Sequence, residues 1–124
     1  MSAPAVEAIA EKVRVALDSA DLELFSDLLD PRVTWGAPGD PSPACQTRAQ
    51  VLAWYANGRA AGRRGHVRTV TTHEDKILVA MTVTSPEEAG SDRWQVLTVA
   101  NGRVIDIRGY DEEVDALAAA GVGT

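Results

Sequence analysis

The sequence predicts one α+β domain over residues 1–124, in which a curved antiparallel sheet wraps around three N-terminal helices and a short helix closes the chain. Up to residue 58, apolar residues recur at three- and four-residue spacing, as in amphipathic helices. After Gly65, runs of β-branched residues are separated by short turns, as in hairpins. A chain of 124 residues with 45% apolar residues is sufficient for one core.

Two helices are predicted at the N-terminus. The apolar face of the first helix carries Val6, Ile9, Val13, Ala16 and Leu17. Asp21 is placed to cap the second helix, whose apolar residues are Leu22, Phe25, Leu28 and Leu29. Asp30-Pro31 is expected to end this helix, because a proline disfavours helical geometry in the residue before it.

A short strand, a loop and a third helix follow. Residues 33–35 are predicted to form the strand, and residues 36–44, with three prolines and two glycines, form the loop. Thr47 is expected to cap the third helix, whose apolar face carries Val51, Trp54, Tyr55 and Gly58.

The rest of the chain predicts two hairpins and a final helix. Residues 67–73 and 77–84 flank a Glu-Asp turn, and residues 94–99 and 103–110 flank Asn101-Gly102, a strong hairpin signal. Asp111 is expected to cap the last helix, with Val114, Leu117 and Ala118 inward and its end at Gly121. A sheet curved around the helices forms a cone, and a ligand cavity is expected at its open end.

Charge and composition exclude several classes of function. The net charge of −6 opposes binding to nucleic acid or to an anionic membrane. The basic group Arg59, Arg63, Arg64 and Arg68 is interpreted as cations at a helix C-terminus, where they complement the helix dipole, rather than as a phosphate site. No secretory signal or membrane-length apolar run is visible, so a cytoplasmic location is expected.

No metal or cofactor is predicted. Cys45 is the single cysteine, and two histidines with scattered carboxylates do not form a metal-ligand motif. Cys45 is expected to be a small buried residue rather than a nucleophile, because no histidine is placed beside it.

Four segments of the sequence occur in a characteristic order. They are Ala-Leu-Asp-Ser-Ala-Asp-Leu (16–22), Leu-Leu-Asp-Pro-Arg-Val-Thr-Trp (28–35), Arg-Ala-Gln-Val-Leu-Ala-Trp-Tyr (48–55), and Asn-Gly-Arg-Val leading to Tyr110. In these segments the chain resembles the nuclear-transport-factor-2-like (SnoaL-like) superfamily along nearly its whole length. The resemblance implies a cone-shaped fold, a pocket for a small organic molecule and a homodimer formed through the outer sheet face. Basic residues that are nearly all Arg, with abundant Ala, Gly and Val, indicate a bacterial origin.

The resemblance allows two known chemistries of the superfamily to be compared with the residues present. Ketosteroid isomerases need a tyrosine on the first helix and aspartates on the fourth strand and after the first strand. The matching positions hold Val13, Val96, and Trp35 or Gly36, none of which can exchange a proton, so residue content excludes this activity.

The epoxide hydrolases of the superfamily use an arginine between aspartates. Asp106 and Arg108 resemble part of that set, but strand alternation places them with Tyr110 on the outer face, opposite Ile105 and Ile107. A structural ion pair is therefore favoured over catalysis for Asp106 and Arg108.

The same alternation predicts which residues face the cavity. The predicted ligand-binding residues are Trp35, Trp54, Tyr55, Met81, Trp94, Val96, Thr98 and Ile107, with Val79, Val83 and Ile105 beside them. The alternative is that these residues only fill the core. The three tryptophans favour a cavity, because each buried indole N–H needs a partner that a partly wet pocket supplies.

His73 and Tyr55 are the candidate catalytic residues, by resemblance to scytalone dehydratase, in which a histidine and tyrosines act as acid and base. The alternative for His73, and for His66, is simple surface exposure.

The sequence thus predicts a pocket protein for a small, largely apolar organic ligand. An isomerase-, cyclase- or dehydratase-type reaction is compatible with this prediction, and whether the protein is an enzyme stays open. The alternative is a non-catalytic interaction or dimerisation domain that uses an outer sheet face carrying Gln95, Leu97, Asp106, Arg108 and Tyr110. An enclosed volume of roughly several hundred cubic ångströms would favour the pocket.

Overall fold

The computed structural model describes residues 3–122 except residue 88, and this part of the chain forms four helices and five strands. The helices are α1 (Ala3–Ser19), α2 (Leu22–Leu28), α3 (Arg48–Ala60) and α4 (Glu113–Ala120). The strands are β1 (Leu29–Gly36), β2 (Arg64–His73), β3 (Lys76–Thr84), β4 (Ser91–Ala100) and β5 (Arg103–Tyr110).

The strands form one open mixed sheet in the order β1-β5-β4-β3-β2. β1 pairs with β5 in parallel, and the other pairs are antiparallel, with β2–β3 and β4–β5 as the two predicted hairpins. The turns take left-handed backbone angles, with φ of 53° at Glu74, 52° at Asn101 and 80° at Gly102. Tight hairpin turns require such angles. The predicted α+β class is confirmed.

Two predicted helix caps are confirmed. The Asp21 side chain accepts a hydrogen bond from the Leu24 amide at 3.1 Å, and the Thr47 side chain accepts one from the Gln50 amide at 3.1 Å. Each cap satisfies an amide that the first turn of a helix leaves without a partner.

The predicted end of the second helix is wrong. The helix ends at Leu28, and Leu29 begins a strand that continues through Asp30-Pro31 to Gly36. Leu29 is fully buried and pairs with Val104 of β5. Sheet pairing and burial therefore extend the strand over residues that local propensity assigned to a helix.

The main core lies between helices α1–α3 and one face of the sheet, which we call the inner face. Its fully buried large side chains are Phe25, Leu29, Val33, Val51, Ile77, Val79, Leu97, Val104 and Ile107, with Val6 and Val13 from α1. Burying each such side chain contributes about 1.5–3 kcal/mol to the stability of the fold.

A second, smaller apolar layer covers the opposite face of the sheet, which we call the outer face. Ala116 and Ala120 of α4 pack there against Leu78 and Val96. Trp94, Tyr110, Leu117 and Val122 pack around this cluster. The centre of the sheet is therefore buried on both faces.

Two predictions for α4 are wrong: Asp111 does not cap the helix, and Val114 and Ala118 do not face inward. Leu117 does pack inward, as predicted. Val114 is 71% exposed and Ala118 is also exposed. Glu112 occupies the cap position without a side-chain hydrogen bond, while Asp111 pairs with Arg93. The predicted end at Gly121 is confirmed, since this residue has a left-handed φ of 75°.

The predicted faces of β4 are reversed. Leu97 lies opposite Ile77 and Gln95 lies opposite Val79, so Gln95 and Leu97 are on the inner face. Trp94, Val96 and Thr98 lie on the outer face, where α4 covers Val96 and packs beside Trp94. Because α4 makes both faces apolar, alternation in the sequence could not distinguish them, and an offset of one residue exchanges the faces.

An irregularity in β5 also changes one predicted position. The β4–β5 register shifts between Thr98 and Val99, so Val104 and Ile107 both reach the inner core. Ile105, predicted to be inward, is 36% exposed instead. An extra residue of this kind interrupts the two-residue alternation of a strand.

A candidate ligand cavity

A cavity of about 140 Å³ lies between the helices and the inner face of the sheet. Its wall is mainly apolar and is formed by Leu17, Leu22 and Phe25 from the helices and by Met81 and Val83 from β3. This combination of helix and strand residues is the one expected at the open end of a curved sheet.

Tyr55, which is half-buried, and Gln95, which is buried, add a polar pair to the cavity wall. Gln95 Nε2 lies 3.0 Å from the Tyr55 hydroxyl oxygen, and Gln95 Oε1 lies 3.2 Å from it, so the amide donates to the hydroxyl or accepts from it. The Phe25 ring meets the Tyr55 ring edge-on at 5.2 Å. α3 and β4 thus place one polar pair in an apolar wall.

Burial controls the protonation of Tyr55. It raises the pKa of Tyr55 to about 12, although the hydrogen bond with Gln95 partly lowers it. A phenol in an apolar site retains its proton because the charged form loses solvation. Near neutral pH, Tyr55 is therefore a hydrogen-bond donor and not a base.

Two tryptophans stack beside this polar pair. The Trp35 and Trp54 rings lie 4.2 Å apart at an interplanar angle of 33°, and Trp54 also lines the cavity. The indole N–H of Trp35 is buried, and it has no hydrogen-bond partner in the described part of the chain. Trp94 on the outer face has the same unpaired indole N–H within that part of the chain, and Arg68 lies over its ring at 5.5 Å.

The end of α3 places three arginines at the mouth of the cavity: Arg59, Arg63 and Arg64. Arg64 Nη1 donates to the carbonyl oxygens of Arg59 at 2.9 Å and Arg63 at 2.8 Å. The Arg59 carbonyl, in the last turn of α3, also accepts from the Gly62 amide at 3.0 Å, and Arg63 lies beyond the end of the helix. Arg64 thus brings a cation to the C-terminal end of α3, where it complements the helix dipole. The described lining of the cavity contains no carboxylate.

A second hollow of about 260 Å³ adjoins the mouth. Arg63 and Val83 line both spaces. The other lining residues of this hollow are mostly polar: Thr84, Ser85, Glu87, Ser91 and Arg93. An apolar cavity therefore adjoins a polar one at Arg63.

The structure brings some of the predicted ligand-binding residues together. Trp54, Tyr55 and Met81 line the cavity, and Trp35 stacks on Trp54 beside it. Ile107 is on the inner face but lies within the packed core. The placement predicted for Trp94, Val96 and Thr98 is wrong, because the sheet separates these outer-face residues from the cavity.

His73 and Tyr55 are not brought together. His73 ends β2, whereas Gly65, near the start of that strand, lines the cavity. His73 follows Gly65 by eight positions, which corresponds to about 26 Å of extended chain. His73 is exposed and its ring approaches Gly121 at the end of α4, and His66 is exposed as well.

Sequence reasoning missed several residues that line the cavity, including Leu17, Leu22, Phe25 and Gln95. Gln95 carried a usable signal, since a polar residue in an apolar strand run needs a partner when it is buried. The arginine cluster was noted, but its position at a cavity mouth depends on how the end of α3 meets β2 and β3.

Asp106 and Arg108 lie on the outer face and hold a loop in place. Arg108 Nε donates to both Asp106 carboxylate oxygens at 3.1 and 3.2 Å. Arg108 Nη1 donates to the carbonyl oxygens of Ala37 at 2.8 Å and Asp40 at 3.0 Å, and the Thr34 hydroxyl donates to Asp106. The pair connects the loop after β1 to β5, away from the cavity.

Cys45 is buried in the core, and its backbone pairs with that of Trp35. Burial raises the pKa of the Cys45 thiol. Within the described residues, no three His, Cys, Asp or Glu side chains are grouped as metal ligands would be. No helix in this part of the chain has both the length and the apolar character needed to cross a membrane.

Helices packed on the inner face of an open, curved sheet, with a cavity at one end, define an α+β protein of the nuclear-transport-factor-2-like class. The model of the SnoaL-like domain family matches residues 9–111, and the chain belongs to this family. Among curated proteins, none matches the sequence significantly.

Solved structures show the same fold. A candidate ketosteroid isomerase from Kribbella flavida superposes with a TM-score of 0.74 at 21% identity, covering 89% of this chain and 79% of that one. A nuclear-transport-factor-2-like protein of unknown function from Mesorhizobium loti gives 0.72 at 12% identity, covering 88% and 92%. An epoxide hydrolase of the LEH-like type from M. tuberculosis gives 0.68 at 14% identity, covering 94% and 90%. At these identities the likeness establishes the fold alone.

Proposed function

We propose that this protein binds a small, largely apolar organic molecule in the cavity between its helices and the inner sheet face. The observation that carries the proposal is an apolar cavity with a hydrogen-bonded polar pair, Tyr55 and Gln95, in its wall. Ligand sites typically combine an apolar lining with a few placed polar groups that fix orientation. Proteins named as an isomerase and an epoxide hydrolase share the fold, which is compatible with this use.

The size of the cavity limits the ligand. A volume of about 140 Å³ does not reach the several hundred cubic ångströms that would favour a pocket, and it is below the range of about 300–1,000 Å³ that is typical of pockets for drug-sized molecules. It is close to an apolar cavity of about 150 Å³ that holds benzene. We therefore propose a ligand whose buried part is about the size of one six-membered ring, with any larger portion extending through the mouth.

The described wall of the cavity supplies a hydrogen-bond donor but no general base. Tyr55 keeps its proton near neutral pH, and no histidine or carboxylate is among the lining residues that the structure describes. Tyr55 and Gln95 would thus orient or polarise an oxygen of the ligand. An isomerase-, cyclase- or dehydratase-type reaction would need its base from the ligand or from water, and the reaction stays unassigned.

The alternative function, an interaction domain using the outer sheet face, is disfavoured by α4. Gln95 and Leu97, two of the five residues assigned to that surface, lie on the inner face, and α4 covers the centre of the outer one. The part left open includes the Asp106–Arg108 pair, which is half-buried.

Homodimerisation stays a prediction of the resemblance, and the cytoplasmic location and the bacterial origin stay predictions from the sequence. We expect light scattering on the purified protein to give twice the monomer mass, with the uncovered part of the outer face around Arg108 as the contact. A monomer mass at micromolar protein concentration would contradict the dimer.

Ligand binding is tested by tryptophan fluorescence with benzyl alcohol and cyclohexanone as probes. We expect a saturable change in the wild type, because Trp54 lines the cavity. Trp54→Phe should remove most of this change. Trp94→Phe is the matched control and should retain it, because Trp94 lies on the other side of the sheet.

Filling the cavity provides a second test of the same site. Val83 is half-buried and lines the cavity, so Val83→Phe should abolish the saturable change while the circular dichroism spectrum stays that of the folded protein. A wild type that responds to neither probe, or a response that depends on Trp94 and survives in Val83→Phe, would contradict the proposed site.

A further inference from the structure

We infer that the ligand is an organic anion, a carboxylate on a compact apolar group, with its carboxylate held by Arg59 and Arg63 at the mouth of the cavity. This inference rests on the proposed function and adds the chemical class of the ligand.

The charge at the mouth is opposite to that of the whole chain. The net charge is −6, yet the described lining of the cavity holds three arginines and no carboxylate. In the described part of the chain, Arg68, Arg93 and Arg108 each have a carboxylate partner, whereas Arg59 and Arg63 form no ion pair. A cluster of cations that is not neutralised locally attracts an anion.

The ordinary role of cations at a helix end does not require all three arginines. Arg64 alone donates to the carbonyl oxygen of Arg59 in the last turn of α3 and to that of Arg63 after it. Within the described residues, no hydrogen bond is formed by the guanidinium groups of Arg59 and Arg63. Their donors are available to a ligand.

The backbone holds Arg63 at the boundary between the two cavities. Its amide donates to the Gly58 carbonyl at 2.9 Å, and Gly62 before it has a left-handed φ of 94°. A Cβ at Gly62 would lie 2.7 Å from Pro86 Cγ, and one at Gly58 would lie 3.7 Å from Arg63 Cδ. The chain therefore turns sharply, and the Arg63 side chain lies over the cavity-lining Gly58. A fixed backbone lowers the cost of ordering this side chain on binding.

The neighbouring charges restrict where the carboxylate lies. In the second hollow, Glu87 would repel an anion, and Arg93 is already paired with Asp111. The favourable position is thus on the cavity side, between Arg59 and Arg63. A guanidinium group matches the two oxygens of a carboxylate.

The test compares phenylacetate with phenylacetamide, a neutral molecule of nearly the same shape. A phenyl ring suits the cavity volume of about 140 Å³. In isothermal titration we expect the wild type to bind phenylacetate about tenfold more tightly than the amide. This preference should decrease as salt is raised from about 20 to 500 mM, since salt screens exposed charges.

Variants locate the origin of the preference. Arg59→Gln/Arg63→Gln should bind both molecules with equal affinity, while Arg103→Gln, an exposed arginine in the β4–β5 hairpin, should keep the wild-type preference. Circular dichroism checks that the variants are folded, and each single substitution should remove part of the preference.

The outcomes separate the two proposals. Equal binding of both molecules by the wild type would overturn the anionic ligand and leave the cavity as a binding site. A preference that survives in the double variant would overturn the role of these arginines. Binding of neither molecule, together with no response to benzyl alcohol or cyclohexanone, would overturn both proposals.

Discussion

Leu97→Ala should lower the free energy of unfolding by about 2–5 kcal/mol. Leu97 is fully buried on the inner face, opposite Ile77 of β3 and Ile107 of β5. Truncation removes its contacts and leaves a void in a core that packs like a crystal. Urea unfolding followed by circular dichroism measures the change.

Val114→Ala is the matched control for Leu97→Ala. The sequence predicts that Val114 faces inward from the last helix and that Leu97 faces outward from its strand, whereas the structure gives Val114 71% exposure and Leu97 none. We expect Val114→Ala to change stability by less than about 0.5 kcal/mol. A large loss at Val114 with a small one at Leu97 would show that the faces assigned to β4 and α4 are wrong.

Local signals were sufficient to predict most of the secondary structure. The caps at Asp21 and Thr47 depend on hydrogen bonds within one turn, and the Asn101-Gly102 hairpin depends on two backbone angles. Such features are determined by a few adjacent residues, and for this reason the sequence alone located them. Leu29 was misassigned because its partner, Val104, is far away in the chain.

The faces of the sheet could not be predicted for the same physical reason. In β4 the apolar residues Val96 and Leu97 are adjacent, and α4 buries the outer-face one while the core buries the other. Alternation distinguishes faces only where one face meets water. The position of α4 is not known from the sequence. Either assignment of the β4 residues to the two faces would then bury a similar number of apolar side chains.

The candidate site was predicted in part. Trp54, Tyr55 and Met81 were found because each lies on the apolar face of a regular element. The positions of Phe25 and the mouth arginines at the cavity were not predicted, because they depend on how the helices pack on the sheet. The proposed His73–Tyr55 pair fails because the cavity lies at the Gly65 end of β2 and His73 ends the strand, and the sequence does not show which end of a strand lies at a cavity.

Tyr55 should make the fold sensitive to alkaline pH. Burial raises the pKa of Tyr55 to about 12, above the value of about 10 for a tyrosine in an unfolded chain. A raised pKa in the folded state means that the associated stability is complete below about pH 10 and is lost as pH rises through about 12. A difference of about two pKa units corresponds to a loss of about 2–3 kcal/mol.

The comparison of the wild type with Tyr55→Phe isolates this effect, because other groups that titrate above pH 9 are common to both. Between about pH 9 and about pH 12, the free energy of unfolding should fall by about 2–3 kcal/mol more in the wild type than in Tyr55→Phe. Tyr110→Phe is the control variant. It retains Tyr55, so the fall in unfolding free energy that Tyr55 causes should be the same as in the wild type. The pKa of Tyr110 is itself raised by burial.

Absorbance at the phenolate band reads the same group directly. One tyrosine should ionise near pH 12 in the folded protein, and Tyr55→Phe should remove that step. If Tyr55 instead ionised near its ordinary pKa, its hydroxyl would be solvated and the wall of the cavity would be open to water. A step near pH 12 would mean that any ligand bound near neutral pH meets a protonated phenol, so the group that contacts Tyr55 is expected to be an oxygen that accepts a hydrogen bond.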